Sequence, residues 1–182
     1  MVSPAKPRPA LAADAGAIAR VHVQSWRETY PGMLPDEYLD GMDAAEYEDR
    51  WARTIQDPYH RSAVFVAEEA ARVVGFASCG RERDGDPRYQ GELYAIYLLY
   101  ESQGRGHGRA LVEASAAMLA IRGMTSMVVW VLRDNTRARG FYERLGGAYL
   151  RERPLDIDVG LSVMEASYLW ADTSVLRLNA RR

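Results

Sequence analysis

Apolar residues recur at helical spacing in the first third of the chain. Over residues 14–28 the apolar positions fall three to five residues apart, and a Tyr-Pro-Gly turn sequence follows them. Asp14 stands where it can cap this helix. Pro35 before two acidic residues predicts a second, short helix, and Asp43 begins a third that runs to about Gln56. The pattern therefore predicts three helices before the first strand.

Strands and helices alternate over the rest of the chain. Residues 62–68 and 72–79 are apolar and β-branched, and the three residues between them predict an antiparallel hairpin. Residues 92–99 form an almost uninterrupted apolar run, which is typical of a central strand buried on both faces. Further strands are predicted over about 124–132, 148–153 and 162–170, and further helices over about 109–122 and after 134–136. This order predicts an α/β fold with a mixed sheet whose N-terminal strands are antiparallel.

Composition and charge narrow the class of protein. With 182 residues, 48% of them hydrophobic, the chain can bury a sizeable core, and we expect a single domain over 1–182. The balance of 23 basic against 25 acidic residues argues against nucleic-acid binding. No apolar run reaches the roughly 18 residues of a membrane helix, so no membrane association is expected. Cys79 is the single cysteine, which excludes an internal disulfide and favours a cytoplasmic location.

A glycine-rich loop lies between the central strand and the next helix. Gly104, Gly106 and Gly108 leave successive backbone N–H groups unobstructed, and the helix dipole favours an anion at this end of the helix. A dinucleotide loop does not fit, because Arg109 and Leu111 stand where that pattern needs glycine, and a Walker loop lacks its lysine. A tight strand-to-helix turn that binds no ligand is the alternative interpretation of the glycines alone.

Further motifs give this loop a family context. Gln103-x-x-Gly106-x-Gly108 after an apolar strand resembles the acyl-CoA pyrophosphate loop of the GNAT superfamily, the GCN5-related N-acetyltransferases. Three more segments resemble that superfamily, in the right order: 22–37, similar to a prokaryotic branch, Asn135 with 141–147, and 165–170. The resemblance covers residues 8 to about 170 and leaves 171–182 as a tail. It implies a GNAT-like mixed sheet with a splayed central strand, flanked by helices.

The resemblance also implies a binding site for acetyl-CoA as cosubstrate. Main-chain groups of residues 96–98 would bind the pantetheine arm, residues 104–109 would hold the pyrophosphate, and Asn135 would hydrogen-bond the pantetheine chain. The implied CoA-binding residues are Ile96, Tyr97, Leu98, Gln103, Gly104, Arg105, Gly106, His107, Gly108, Arg109, Asn135 and Tyr142. The chain departs from the family pattern at two positions, with Tyr100 in place of the usual proline and His107 in place of an aliphatic residue.

The family chemistry is direct attack of an amine on the acetyl thioester. Tyr142 is the predicted acid that protonates the departing thiolate, and the Leu98 N–H is the predicted donor to the developing oxyanion. Glu92 is the candidate base. On a regular strand it would share a face with Tyr94, Ile96 and Leu98, at about 20 Å from the oxyanion donor, so it would act through water. The alternative for Glu92 is a structural role at the strand end or in an ion pair.

Several side chains are candidates for the acceptor pocket by the same resemblance. They are Trp26, Arg27, Tyr30 and Tyr94, for which core packing is the alternative. A packing role is expected for His22 and Cys79. The three histidines, His22, His60 and His107, lack the spacing of metal ligands, so no metal is expected.

The leading hypothesis is an acetyl-CoA-dependent N-acetyltransferase whose acceptor is the primary amine of a small molecule. Two alternatives stay open: acetylation of a protein N-terminus or lysine, and a non-catalytic acyl-CoA sensor. The family also allows a homodimer. Residues 1–60 hold ten acidic and six basic residues, and this predicts an acidic acceptor side that attracts cationic amines.

Overall fold

A sheet of seven strands runs through the computed structural model, which describes residues 5–57, 59, 61–158 and 160–178. The strands are β1 (Arg8–Pro9), β2 (Ser62–Glu69), β3 (Arg72–Arg81), β4 (Gly91–Leu98), β5 (Met127–Leu132), β6 (Ala148–Asp158) and β7 (Leu161–Trp170). The helices are α1 (Ala15–Thr29), α2 (Asp36–Asp40), α3 (Ala44–Ile55), α4 (His107–Ile121), α5 (Thr136–Arg144) and α6 (Ser174–Leu178). The strand order is β1-β2-β3-β4-β5-β7-β6.

The pairing of the strands confirms the predicted mixed sheet. β4 and β5 are parallel, and the other neighbouring strands pair antiparallel. Helix α4 covers one face through Leu111 and Leu119, which pack on the core around Met127. Helices α1 and α3 cover the other face of the N-terminal strands, where Ile18 and Trp51 pack in a second core. None of the helices in the described part of the chain has the length and apolar character that crossing a membrane would require.

A β-bulge in β4 separates β4 from β5. Leu93 pairs with Cys79 and Ala95 pairs with the preceding residue of β3, so Tyr94 is an extra residue in β4. Bulges bend a strand and increase its twist. The pairing of β4 with β5 ends at Leu93 and Val129, although both strands continue beyond these residues. The splay of the central strand is thus confirmed, and the bulge explains it.

The hairpin between β2 and β3 differs from the prediction. Glu69 pairs with Arg72, so the connection has two residues, Ala70 and Ala71, and not three. Their φ angles of 47° and 62° place both alanines in the left-handed region. Such a turn matches the twist of the two strands but strains residues that carry a Cβ, which is why the alanines gave no turn signal.

Element ends also differ from their predicted positions. The prediction of a cap at Asp14 is wrong, because its carboxylate binds Arg8 at 2.7 Å and the Leu11 N–H at 2.7 Å, outside α1. Strand β5 begins three residues later than predicted, and α4 begins two residues earlier. Strand β6 continues past its predicted end through Pro154, which an edge strand tolerates.

Two short elements were not predicted. Strand β1 has two residues that pair with β2, and α6 lies within the segment predicted to be a tail, of which residues 179–182 lie outside the described part. Leu176 of α6 is buried in the core on the α4 side. Elements this short carry too few residues to show a period.

Candidate active site

A cavity of about 520 Å³ lies where β4 and β5 diverge. Its lining includes β4 from Leu93 to Leu98, the end of α1, the glycine loop and the start of α5. Ile96 and Leu98 face the core on the α4 side, whereas Tyr97 faces the clusters that α1 and α3 cover. The cavity therefore touches both faces of the sheet, beyond the point where β4 and β5 cease to pair.

The bulge also changes which residues of β4 share a face. Leu93 lies in the same core as Ile96, although the two are three positions apart and a regular strand would place them on opposite faces. The prediction that Glu92 shares a face with Ile96 and Leu98 is therefore wrong, because the extra residue at Tyr94 reverses the alternation. Glu92 instead lies on the α1 and α3 face, opposite Leu93.

The main chain of β4 presents polar groups to the cavity. The Leu99 N–H donates to the Val74 carbonyl of β3 at 2.9 Å. Because successive residues of a strand point their N–H groups to opposite sides, the Leu98 N–H points away from β3 and into the splay. The Leu98 carbonyl accepts a hydrogen bond from Gln103 Nε2 at 3.2 Å. The Leu98 N–H thus has the direction that its predicted role requires.

The glycine loop directs its amides at the cavity. Gly104 and Gly106 have φ angles of 75° and 93°, which side chains with a Cβ rarely adopt. The first bond of α4 runs from the Ala110 N–H to the Gly106 carbonyl at 3.1 Å, so the N–H groups of residues 107–109 have no partner within the helix. A Cβ on Gly108 would lie 3.2 Å from Phe141 and 3.3 Å from Leu98. The loop therefore has the free amides and the restricted space of an anion cradle.

The start of this loop is held by α1. Tyr100 stands where the family usually has proline, and its N–H donates to Glu28 Oε2 at 2.8 Å. A proline could not make this bond. The Tyr100 ring is exposed at the cavity edge, with the guanidinium of Arg137 at 5.0 Å from its centroid. Sequence analysis missed Glu28, because its contact spans 72 residues.

The end of the loop is held by the β2–β3 hairpin. Glu69 binds Arg105 at 3.1 Å through one carboxylate oxygen and His107 Nε2 at 2.7 Å through the other. The hydrogen bond from His107 is the main cause that lowers the pKa of Glu69. His107 is buried and, like the Arg105 side chain, does not line the cavity. Among the predicted CoA contacts, Arg109 is the basic side chain that lines the cavity.

Helix α5 places Asn135 and Tyr142 against the cavity. Asn135 caps α5, and its side-chain oxygen accepts from the Ala138 N–H at 3.0 Å. Tyr142 is buried, with its ring edge-on to Trp170 at 6.1 Å. Burial, together with the neighbouring Tyr97, raises the pKa of Tyr142 well above its usual range. The phenol therefore keeps its proton at neutral pH and is available as a donor.

Phenol groups from three elements approach one another at the splay. Burial, together with Tyr97 and Tyr142, raises the pKa of Tyr30 well above its ordinary value. Burial likewise raises the pKa of Tyr97. The three tyrosines line the cavity, from the end of α1, from β4 and from α5. This part of the cavity wall is therefore neutral and rich in hydroxyl groups.

Glu92 does not line the cavity. Its buried carboxylate accepts from the Arg83 backbone N–H at 3.2 Å and binds the Arg83 guanidinium at 2.5 Å. This is the ion pair that was the alternative to a catalytic role. The partner of Glu92, Arg83, also lies 4.4 Å from the ring centroid of Tyr94, which borders the cavity. The role of Glu92 as base stays a prediction.

The four predicted acceptor residues have different positions. Tyr30 lines the cavity. Trp26 does not, and packs edge-on against Tyr30 at 5.0 Å. Arg27 donates to three carbonyl groups at and after the end of α2, including that of Leu39 at 3.0 Å. Tyr94 borders the cavity, but its hydroxyl donates to the Arg81 carbonyl at 2.5 Å, on the far side of the bulge.

Two residues for which packing was expected are buried. His22 accepts from Trp51 Nε1 at 3.2 Å, and burial, with Arg50 as a lesser cause, lowers its pKa to about 4. Burial raises the pKa of the Cys79 thiol to about 11. The described residues include no group of three His, Cys, Asp or Glu side chains that could hold a metal ion, and His60 lies outside them.

Comparison with known proteins gives the same class as the fold and the site. A sequence profile of the acetyltransferase (GNAT) family matches residues 23–147. The chain therefore belongs to the GNAT family and is an acyltransferase. The uncharacterized N-acetyltransferase YuaI of Bacillus subtilis (strain 168) is 40% identical over 172 residues, which cover 93% of this chain and 95% of YuaI.

Solved structures share the fold. The GCN5-related N-acetyltransferase of Rhodopseudomonas palustris has a TM-score of 0.73 at 23% identity and covers 93% of this chain and 96% of its own. The PaiA N-acetyltransferase of Thermoplasma acidophilum, in complex with coenzyme A, has a TM-score of 0.69 at 20% identity and covers 88% of this chain and 96% of its own.

Proposed function

We propose that this acyltransferase uses acetyl-CoA and transfers the acetyl group directly to a primary amine of a small molecule. The observation that carries the proposal is the cavity at the β4–β5 splay, which has free backbone amides at one end and reaches both faces of the sheet. Such a cavity can hold a phosphate-bearing donor on one side and an acceptor on the other. PaiA, which shares the fold, was solved with coenzyme A, and this supports the choice of donor.

The residues at the α4 end fit an acyl-CoA. The amides of residues 104–109 would bind the pyrophosphate, with Arg109 as the side chain of the loop that lines the cavity. The absence of a Cβ at Gly108 keeps the space between the loop, Leu98 and Phe141 open. An extended pantetheine with its amide groups can then lie along the unpaired edge of β4 beyond Leu93. Asn135, at the cavity wall, is the proposed side-chain contact to it.

The chain's own groups support a direct transfer. The amine nitrogen forms a bond to the acetyl carbon, and the carbon–sulfur bond breaks. The Leu98 N–H donates to the acetyl oxygen as negative charge develops there. Tyr142 gives its proton to the departing thiolate and regains one from solvent. The proton of the attacking amine passes to water in the cavity, and Glu92 is the proposed final acceptor, reached through water.

The elements beside the cavity favour a small acceptor over a protein. The β6–β7 hairpin and the end of α1 meet on the acceptor side, where Ile157 and Val163 of the hairpin pack near Met33. This contact narrows the approach for a folded polypeptide.

Release of free thiol from acetyl-CoA tests the proposal. We expect release that depends on a small primary amine, with the acetylated amine as product by mass spectrometry. Peptides with a free N-terminus or an internal lysine are the comparison, and we expect them to be acetylated more slowly than the best small amine. Faster acetylation of a peptide than of any small amine would show that the acceptor is a polypeptide. Binding of acetyl-CoA without transfer to any amine or peptide would favour a sensor.

A further inference from the structure

We propose that the acceptor is a primary amine on an aromatic or otherwise apolar body that carries no second positive charge. This inference rests on the proposed function and names the substrate class of the same cavity. It comes from the wall of the cavity on the α1 side, which is aromatic and where Glu28, the one carboxylate among the described lining residues, is bound to the start of the glycine loop.

The acceptor wall consists of large apolar groups. Tyr30 and Met33 come from the end of α1 and the turn after it, and Tyr97 comes from β4. Trp130 comes from β5, where its neighbours Val129 and Val131 face the α4 core, so its own side chain faces the other way. These four side chains offer ring and thioether surface to an acceptor, together with the hydroxyl groups of Tyr30 and Tyr97, and none of the four carries a charge.

The wall provides no carboxylate for a second ammonium group. Glu28 is the single acidic residue among the cavity-lining residues that the structure describes, and it lies at the CoA end. Its oxygens accept from the Tyr100 N–H at 2.8 Å and from Gln24 at 2.9 Å, and the first of these bonds holds the carboxylate at the start of the glycine loop. The other acidic residues of the N-terminal segment do not line the cavity. The predicted attraction of cationic amines by these acidic residues would therefore act from outside the cavity.

Two buried carboxylates on the same face of the sheet as Trp130 are already paired. Glu165 of β7, on the same face of the sheet as Trp130, is buried and binds Arg153 at 2.6 Å. Glu92 is bound to Arg83 at 2.5 Å. Neither glutamate lines the cavity. An acceptor ammonium would have to displace an arginine to reach one of them.

The aromatic rings do not replace the missing carboxylate. The guanidinium groups of Arg153 and Arg151 lie 3.7 Å and 5.0 Å from the centroid of Trp130, so its ring already has cationic neighbours. Tyr97 stacks on His22 at 5.0 Å. A second ammonium would therefore be buried without a partner, at a large cost in free energy, whereas an aromatic or alkyl body would bury apolar surface favourably.

A pair of amines of matched length tests this inference. Butylamine and 1,4-diaminobutane differ by the second amino group, and 2-phenylethylamine adds an aromatic body. With the unmodified chain and saturating acetyl-CoA, we expect kcat/KM for butylamine and for 2-phenylethylamine to exceed that for 1,4-diaminobutane by at least about tenfold. Equal or better use of the diamine would overturn the inference and leave the proposed function standing. Failure of every amine to release thiol would overturn both.

A substitution in the wall gives a second measurement. Met33→Glu adds a carboxylate on the acceptor side, and Met33→Gln is the matched control with similar size and no charge. We expect the glutamate variant, but not the glutamine variant, to shift the ratio of kcat/KM toward 1,4-diaminobutane by about tenfold. The same ratio in both variants would contradict the inference, because Met33 would then not face the acceptor. Unfolding of each variant by urea shows that the comparison is made on folded protein.

Discussion

The two ends of the cavity recognise their ligands by different means. At the CoA end, the groups directed at the ligand belong to the main chain, and side chains from distant elements hold the loop in place. Glu28 binds the start of the loop and Glu69 its end. At the acceptor end, side chains form the wall and the main chain is covered. A ligand common to a family suits the first arrangement, and a variable acceptor suits the second.

This difference explains why the loop tolerates its two departures from the family pattern. Tyr100 and His107 change side chains in a loop that acts through its amides, and each is held by a carboxylate from another element. At the acceptor end a single side-chain change alters the surface that the acceptor meets. Substitutions should therefore affect donor binding at one end and acceptor choice at the other.

The largest effect is expected at the point where the two ends meet. Tyr142→Phe keeps the ring packed against Trp170 and removes the phenol proton. We expect kcat to fall by about a hundredfold or more, with the Kd of acetyl-CoA within about twofold of the unmodified chain. Thiol release measures the rate, and titration calorimetry measures binding. Tyr168→Phe is the control, because that hydroxyl binds Glu143 at 2.7 Å and its residue does not line the cavity. An unchanged kcat in Tyr142→Phe would remove Tyr142 as the acid.

The burial of His22 behind Tyr97 has a consequence for stability. His22 lies beneath Tyr97 with a pKa lowered to about 4 by burial, against an ordinary value near 6.5. Between these pH values His22 is protonated in the unfolded chain but not in the folded chain. The free energy of unfolding therefore falls as the pH falls from about 6.5 to 4. The loss attributable to His22 is at most about 3 kcal/mol.

Urea unfolding at a series of pH values measures this effect. His22→Gln keeps an acceptor for Trp51 Nε1 but loses the packed ring, so it should be less stable than the unmodified chain at pH 7. Because glutamine does not titrate, the variant should lose less stability as the pH falls. Carboxylates titrate in the same range in both proteins, and the difference between the two curves isolates the histidine. Parallel curves would show that the pKa of His22 is not lowered in the folded chain.

A smaller effect is expected from the bond that holds the loop. Glu28→Ala removes the acceptor of the Tyr100 N–H, and we expect the Kd of acetyl-CoA to rise by about two- to tenfold with kcat little changed. Glu28→Gln retains an acceptor oxygen, so its Kd for acetyl-CoA should lie between those of Glu28→Ala and the unmodified chain. In a Tyr100→Pro background the N–H is absent, so Glu28→Ala should have no further effect. An equal loss in both backgrounds would mean that Glu28 acts by another route.

The order of elements and the glycine loop could be predicted from the sequence, because both depend on residues close together in the chain. The helical period before Pro35, the apolar run of β4 and the glycines after it are local signals. The loop amides follow from them, whereas Tyr142 was predicted through the resemblance of residues 135 and 141–147 to the family, and it lines the cavity.

The bulge could not be predicted in the same way. A bulge at Tyr94 is a property of the pairing of β3 with β4, and the period of one strand does not reveal it. It reversed the faces of β4 and moved Glu92 to the side opposite Ile96. The bonds of Glu28 and Glu69 to the loop likewise join residues far apart in the chain. These bonds are visible only once the strands and helices are assembled in three dimensions.

Initial-velocity kinetics tests most directly whether both substrates occupy the cavity together. With acetyl-CoA and 2-phenylethylamine, or the best amine found, both varied, the account predicts intersecting double-reciprocal lines, as a complex of both substrates requires. It also predicts no gain of an acetyl group in the intact mass of the chain after incubation with acetyl-CoA alone. Parallel lines with an acetylated chain would show a covalent intermediate and would contradict direct transfer across the splay.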